Sequence, residues 1–280
     1  MEQDWRSLDQ ASLDREYDAR ATVPDYEVEV TRYRDTSAAA RAALRMVPDL
    51  VFDPPSGCAL DLFPGAPGGP LFLWVHGGYW RALSKADNHC VAPGLVEGAG
   101  AHVAIMDYTL VPHANLDEIV RQVRAALAFV AAHAAAWGAD PARLYVGGSS
   151  AGGHLAGMLL AEGWRGVMKG AVLLSGLFDL EPVRASKVND WMRLDAAAAA
   201  RNSPIRFIPH SRSAPRVLAS YGGSETREFK RQTRDFCAAW CGAGHEATVL
   251  PQVGRNHFDL AVALGSPGDP LCRATVAFMR

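Results

Sequence analysis

The segment that most limits how this chain can fold is Gly148-Ser149-Ser150-Ala151-Gly152, between an apolar run, Leu144-Tyr145-Val146, and a helical apolar pattern from Leu155 to Leu160. A strand that turns through a glycine-bounded serine straight into a helix spells a nucleophile elbow, which holds the serine in a strained backbone conformation. Residues two before and two after that serine must be small, so that strand and helix can approach. Gly148 and Gly152 meet this requirement around Ser150, whereas centring the frame on Ser149 would put Ala151 where the second glycine belongs. Ser150 is therefore the candidate nucleophile. A plain tight turn has the same composition, so the motif needs support from elsewhere in the chain. A dinucleotide fingerprint fits worse, because Gly147 to Gly152 lacks the glycine at the third position of G-x-G-x-x-G.

The support comes from Leu71-Phe72-Leu73-Trp74-Val75, which reads as a buried strand and runs into His76-Gly77-Gly78-Tyr79-Trp80. A His-Gly-Gly loop in this place lets the backbone turn N–H groups toward a developing oxyanion. Gly77 and Gly78 are the expected donors, with the N–H of Ala151 completing the hole. His76 is expected to brace the loop rather than act as a base.

A base is expected downstream. His257 follows the strand-like Ala247-Thr248-Val249-Leu250 in a short polar loop. The strand-like Arg216-Val217-Leu218-Ala219-Ser220 leads to Glu225, the expected acid, with Asp179 and Asp235 as rivals. Ser150, Glu225 and His257 then occur in the order serine, acid, histidine used by hydrolases with a nucleophile elbow. As a carboxylate at a helix start, Glu225 would also be favoured by the helix dipole. His89, His102, His113, His133, His154, His210 and His245 carry no ligand spacing, and neither a metal nor an organic cofactor is implied.

With these residues in place, the chain resembles the arylformamidase (kynurenine formamidase) family, within the hormone-sensitive-lipase-like branch of the α/β-hydrolases. The resemblance rests on Leu13-Asp14-Arg15-Glu16-Tyr17, His76-Gly77-Gly78-Tyr79-Trp80, Asp107-Tyr108, Gly148 to His154, Ser175-Gly176-Leu177-Phe178-Asp179-Leu180, Glu225 to Gln232 and His257-Phe258-Asp259-Leu260. Tyr79 stands where the esterases of that branch more often carry a third glycine. The resemblance implies Ser150 as nucleophile, His257 as base and Glu225 as acid, although family members more often use Asp there. It also implies hydrolysis of the aryl formamide of N-formylkynurenine to kynurenine and formate. Tyr79, Trp80 and Trp191 are expected to contact substrate, the first two limiting acyl size.

The remaining features set limits. A chain of 280 residues with 49% hydrophobic content can bury a large core, which suits a single α/β-hydrolase domain spanning 1–280. A net charge of −2 points away from nucleic acid and anionic membranes, and toward a small aryl amide or ester as partner. Five cysteines without paired metal spacing read as reduced thiols. The start of the chain has no apolar secretion core, and the apolar tract Ala125 to Trp137 is too short to span a bilayer, so a cytoplasmic protein is expected. A homodimer stays open.

Helices are expected over Leu8–Asp18 and Ser37–Arg45, inside an N-terminal helical segment of about 1–48. Strands at 50–52 and 59–63 should open the sheet as an antiparallel hairpin, and strands at 71–75, 102–106, 144–147, 171–174, 216–220 and 247–250 alternate with helical stretches. That is the pattern of a mostly parallel sheet covered on both faces. The strandless stretch of about 181–215 is either a small cap or a connecting helix pair. Two further functional classes stay open, a carboxylesterase using the same apparatus and a non-catalytic receptor for a small ligand.

Overall fold

The structure, a computed structural model, describes residues 4–161, 166–210 and 214–280. Residues 211–213 of the expected cap segment and 1–3 of the N-terminal segment lie outside the described residues. Helices α1 (Gln10–Glu16) and α2 (Tyr26–Ala43) precede the hairpin strands β1 (Val47–Asp53) and β2 (Cys58–Phe63). The chain continues through β3 (Leu71–Val75), α3 (Ala92–Ala99), β4 (His102–Met106), α4 (Leu116–His133), β5 (Leu144–Ser149), α5 (Ala151–Ala161) and β6 (Gly170–Leu174). Three short helices follow, α6 (Glu181–Ala185), α7 (Asn189–Met192) and α8 (Ala196–Arg201). The last elements are β7 (Arg216–Gly222), α9 (Arg227–Gly242), β8 (Ala247–Gln252), α10 (Asp259–Gly265) and α11 (Pro270–Phe278).

The eight strands form one sheet in the order β1-β2-β4-β3-β5-β6-β7-β8. β1 and β2 pair antiparallel, as do β2 and β4, and every other pairing is parallel. Both faces are covered, and period-two alternation divides the central strands between them. Leu71, Leu73 and Val75 of β3 join one apolar cluster, while Phe72 and Trp74 join the other.

The second helix differs from its expected position by starting at Tyr26 instead of Ser37. Asp25 caps it by accepting from the Glu27 N–H, and Glu27 and Glu29 sit in the first turn, where the helix dipole favours acids. The β-branched Val28, Val30 and Thr31 obscure a helical pattern in the sequence.

Strand order reverses at β3, which has β4 on one side and β5 on the other. Chain leaving the carboxyl ends of β3 and β5 therefore opens a crevice between two diverging connections, the usual ligand position in such sheets. Val75 is in register with Gly148, so the His76-Gly77-Gly78 loop and the Ser150 turn emerge side by side. The approach depends on glycine: a Cβ on Gly152 would run into the Val75 carbonyl oxygen, and one on Gly148 into the Gly152 carbonyl. Gly152→Ala should destabilise the protein by about 3 kcal/mol, the upper end for overpacking. Denaturant unfolding of the variant beside the native protein checks this, and an unchanged midpoint would contradict it.

Candidate active site

β5 ends at Ser149 and α5 begins at Ala151, so Ser150 alone makes the turn, with φ +57°. For a residue other than glycine this left-handed conformation costs about 1–2 kcal/mol. The turn is tied on both sides, its N–H donating to the Leu174 carbonyl (2.8 Å) and its carbonyl accepting from the His154 N–H (3.0 Å). Ser150 lines a cleft together with Gly77, Gly78, Tyr79 and His257. Gly77 lies against the serine, since a Cβ there would come within 3.3 Å of Ser150 Cβ.

The opposite wall is built by two loops that interlock. After β7 the chain turns through Gly222 to Glu225, and after β8 it turns through Arg255 to His257. The Gly223 N–H donates to the Gln252 carbonyl (2.8 Å) and the Ser224 N–H to the Arg255 carbonyl (3.0 Å). A Cβ on Gly222 would meet the Arg255 oxygen at 2.5 Å, so glycine is needed where the loops cross. The result brings His257 Nδ1 within 2.9 Å of Glu225 Oε2, both side chains buried. A carboxylate can only accept, so Nδ1 carries the proton and Nε2 keeps its lone pair for a proton from elsewhere.

Glu225 is held at its other oxygen as well. Oε1 accepts from the Gly222 N–H (2.6 Å) and from Ser175 Oγ (2.5 Å). Ser175 is fully buried just past the end of β6, with φ +47°. The rivals for the acid lie elsewhere: Asp235 pairs with Arg231 (2.6 Å), and the Asp179 carboxylate accepts from the Glu181 N–H (3.1 Å). The His257 loop is braced by Asn256, whose Oδ1 accepts from the Phe258 and Asp259 N–H groups and whose Nδ2 donates to Glu29 of α2 (2.8 Å).

The His76 loop is rigid from below. His76 is fully buried, its Nδ1 donating to the Gly77 carbonyl (2.8 Å) and its ring stacked on Tyr108 at 4.2 Å. Burial holds its imidazole below the ordinary value, so it stays neutral. The Tyr108 hydroxyl donates toward the carbonyls of His76 (3.1 Å) and Gly77 (3.2 Å). Tyr79 and Trp80 follow with φ +50° and +56°, and the two side chains diverge. Tyr79 lines the cleft and donates its hydroxyl to the Tyr17 carbonyl (2.6 Å). Trp80 is fully buried, edge-on to His154, and does not border the cleft; Trp191 on α7 reaches it only through Tyr79 and Arg81, which it touches.

The N-terminal segment closes the upper side, a role the sequence pattern did not reveal. Tyr17 is buried, its hydroxyl donating to Glu228 (2.9 Å) and accepting from Gln232 (3.1 Å). Thr226 Oγ1 donates to the Glu16 carbonyl (2.6 Å) and the Glu228 N–H to the Glu16 carboxylate (3.0 Å), so the motif Leu13 to Tyr17 clips this segment onto α9. Arg20, Tyr26 and Tyr33 thereby border the cleft.

A family model for the alpha/beta hydrolase fold matches residues 72–231. The chain belongs to the α/β-hydrolase family. The kynurenine formamidase of Danio rerio is 28% identical over 274 residues, 92% of each chain. That of Drosophila melanogaster is 32% identical over 206 residues, 68% of this chain and 67% of its own. A solved structure from Silicibacter sp. TM1040, described as a candidate thioesterase, is 28% identical with a TM-score of 0.80 and covers 95% of this chain and 98% of its own. The likeness to arylformamidases expected from the motifs thus runs over nearly the whole hydrolase. The chain is an enzyme of this class. Among the described residues no helix is long and apolar enough to cross a membrane, and no group of three or more His, Cys, Asp or Glu could hold a metal ion.

Ser175→Ala would leave Glu225 Oε1 with one donor fewer and nothing else displaced. A hydrogen bond to a charged group is worth about 1.5–3 kcal/mol, so kcat should fall about 10- to 100-fold with KM little changed. Steady-state kinetics beside a melting curve checks this; native kcat would show that the hydroxyl does not matter to the hydrolase.

Proposed function

We propose that the enzyme is a serine hydrolase that cleaves an aryl formamide such as N-formylkynurenine to the arylamine and formate. The observation that carries this reading is the Glu225–His257 bond facing the strained Ser150 across one cleft. Ser150 Oγ attacks the formyl carbon while His257 Nε2 takes its proton, forming the C–O bond of a tetrahedral intermediate. Glu225 holds the imidazole tautomer and stabilises the imidazolium. The N–H groups of Gly77, Gly78 and Ala151 receive the oxyanion, each donor contributing about 3–4 kcal/mol. His257 then protonates the departing nitrogen as the C–N bond breaks. Water, deprotonated by the same base, hydrolyses the formyl-serine and releases formate.

Tyr79 beside the hole supports a preference for the smallest acyl group, with Trp191 and Trp80 holding the loop behind it. We further read the chain as one catalytic domain with the helices α6 to α8 as a cap, placed in the cytoplasm, where its unpaired thiols stay reduced.

Hydrolysis of N-formylkynurenine beside p-nitrophenyl acetate and butyrate tests the reading. kcat/KM should favour the formamide and fall from acetate to butyrate; Ser150→Ala should abolish turnover, and Glu225→Gln should lower kcat about 10⁴-fold by imposing the wrong tautomer. Ester turnover without formamide turnover would leave a carboxylesterase, and full turnover by Ser150→Ala would refute the serine mechanism.

A further inference from the structure

On the serine hydrolase reading the nucleophile follows β5, in the middle of the sheet, and the base follows β8, the last strand in the order, which pairs with β7. The turn that leads from β8 to His257 is open to solvent, with Val253 93% exposed and Gly254 left-handed at φ +75°. A base in such a loop has to be held closely, since a misplacement of about 1 Å can cost about 100-fold in rate. The loop therefore needs support from outside the sheet, and α2 supplies it.

Four residues close a ring between α2 and this loop. Asn256 Nδ2 donates to Glu29 Oε1 (2.8 Å), and Glu29 Oε2 pairs with Arg32 Nη2 (2.5 Å). Arg32 Nη1 pairs with Asp259 Oδ1 (2.7 Å), and Asp259 Oδ2 accepts from the Asn256 N–H (2.6 Å). The Tyr26 ring also packs edge-on against Phe258 at 5.4 Å, so α2 grips the residues on both sides of His257. The helix is itself anchored elsewhere. Ser37 Oγ donates to the Asp87 carbonyl (2.8 Å) and accepts from the Cys90 N–H (3.0 Å), and Arg41 donates to the Ala86 carbonyl (2.9 Å). That segment is fixed in turn to Asp61 of β2, by His89 Nε2 (2.8 Å) and Lys85 Nζ (2.6 Å). A frame thus runs from β2, on the other side of the sheet, through α2 to the loop of His257. Arg32 carries the positive charge of the ring and stands between two carboxylates. Without it Glu29 and Asp259 would face each other as like charges and push α2 and the loop apart.

We propose that Arg32 is a positioning residue for the base, acting on His257 through Asp259 and Asn256, and that the N-terminal segment is by this route part of the hydrolytic apparatus. This rests on the serine hydrolase reading and goes beyond it, since none of the reacting groups in that reading comes from the N-terminal segment.

The test reads turnover of p-nitrophenyl acetate and N-formylkynurenine beside the proton resonance of His257 Nδ1–H, which its bond to Glu225 moves downfield and burial shields from exchange. Arg32→Gln should lower kcat about 10- to 100-fold with KM little changed, and should broaden or abolish the resonance. Arg32→Lys, which restores a cation, should regain part of both. In the double variant with Asn256→Ala the two losses should not multiply in full, because both changes loosen one loop. A loss carried by KM, losses that multiply in full, or a resonance unchanged in Arg32→Gln each overturns the proposal. Should Arg32→Gln fail to fold, Glu29→Gln decides: it keeps an oxygen for Asn256 but drops the charge paired with Arg32, so kcat should fall at native KM, and native kcat overturns the proposal. Turnover of the acetate alone would sink the formamidase reading and leave this test intact. The resonance needs no turnover, so its loss in Arg32→Gln upholds the grip of Arg32 on His257 even where a fully active Ser150→Ala refutes the serine mechanism.

Discussion

The close approach of β5, Ser150 and α5 to the end of β3 governs the rest of the site. Gly152 lies so near the Val75 carbonyl that any side chain would force the two connections apart, and a Cβ on Gly77 would come within 2.8 Å of the Ser149 carbonyl oxygen. Because this contact is backbone on backbone, the serine and the loop that faces it keep their relation without help from flexible side chains. The strain at Ser150 persists because the helix on one side and β6 on the other over-determine the turn.

The pairing of Glu225 with His257 depends on a similar device. Gly222 lets the loop after β7 cross the loop after β8, so Glu225 and His257 meet although they lie 32 residues apart. A glutamate arm needs more anchoring than an aspartate arm, and Glu225 has it, through the Gly222 N–H and Ser175. The Glu225 carboxylate is thereby fixed at both oxygens.

Much of this was legible in the chain because it is local. Glycines flanking a serine, a His-Gly-Gly run after an apolar strand, and the order Ser150, Glu225, His257 each announce themselves within a few residues or by sequence order alone. What stayed hidden depends on distant partners. Ser175 looks like any strand-end serine until the fold sets it against a carboxylate 50 residues away. Tyr79 and Trp80 were read as a pair, yet consecutive left-handed residues send one side chain to the cleft and the other to the core. α2 starts earlier than expected because acids and a cap at Asp25 outweigh the β-branched residues that follow.

The roles of Ser150 and His257 are tested most directly by reacting the enzyme with an aryl phosphonofluoridate and mapping the adduct by mass spectrometry. The geometry predicts stoichiometric modification of the peptide carrying Ser150, loss of hydrolysis in step with it, and no adduct in His257→Gln. Modification elsewhere, or full activity in an enzyme fully modified at Ser150, would contradict it.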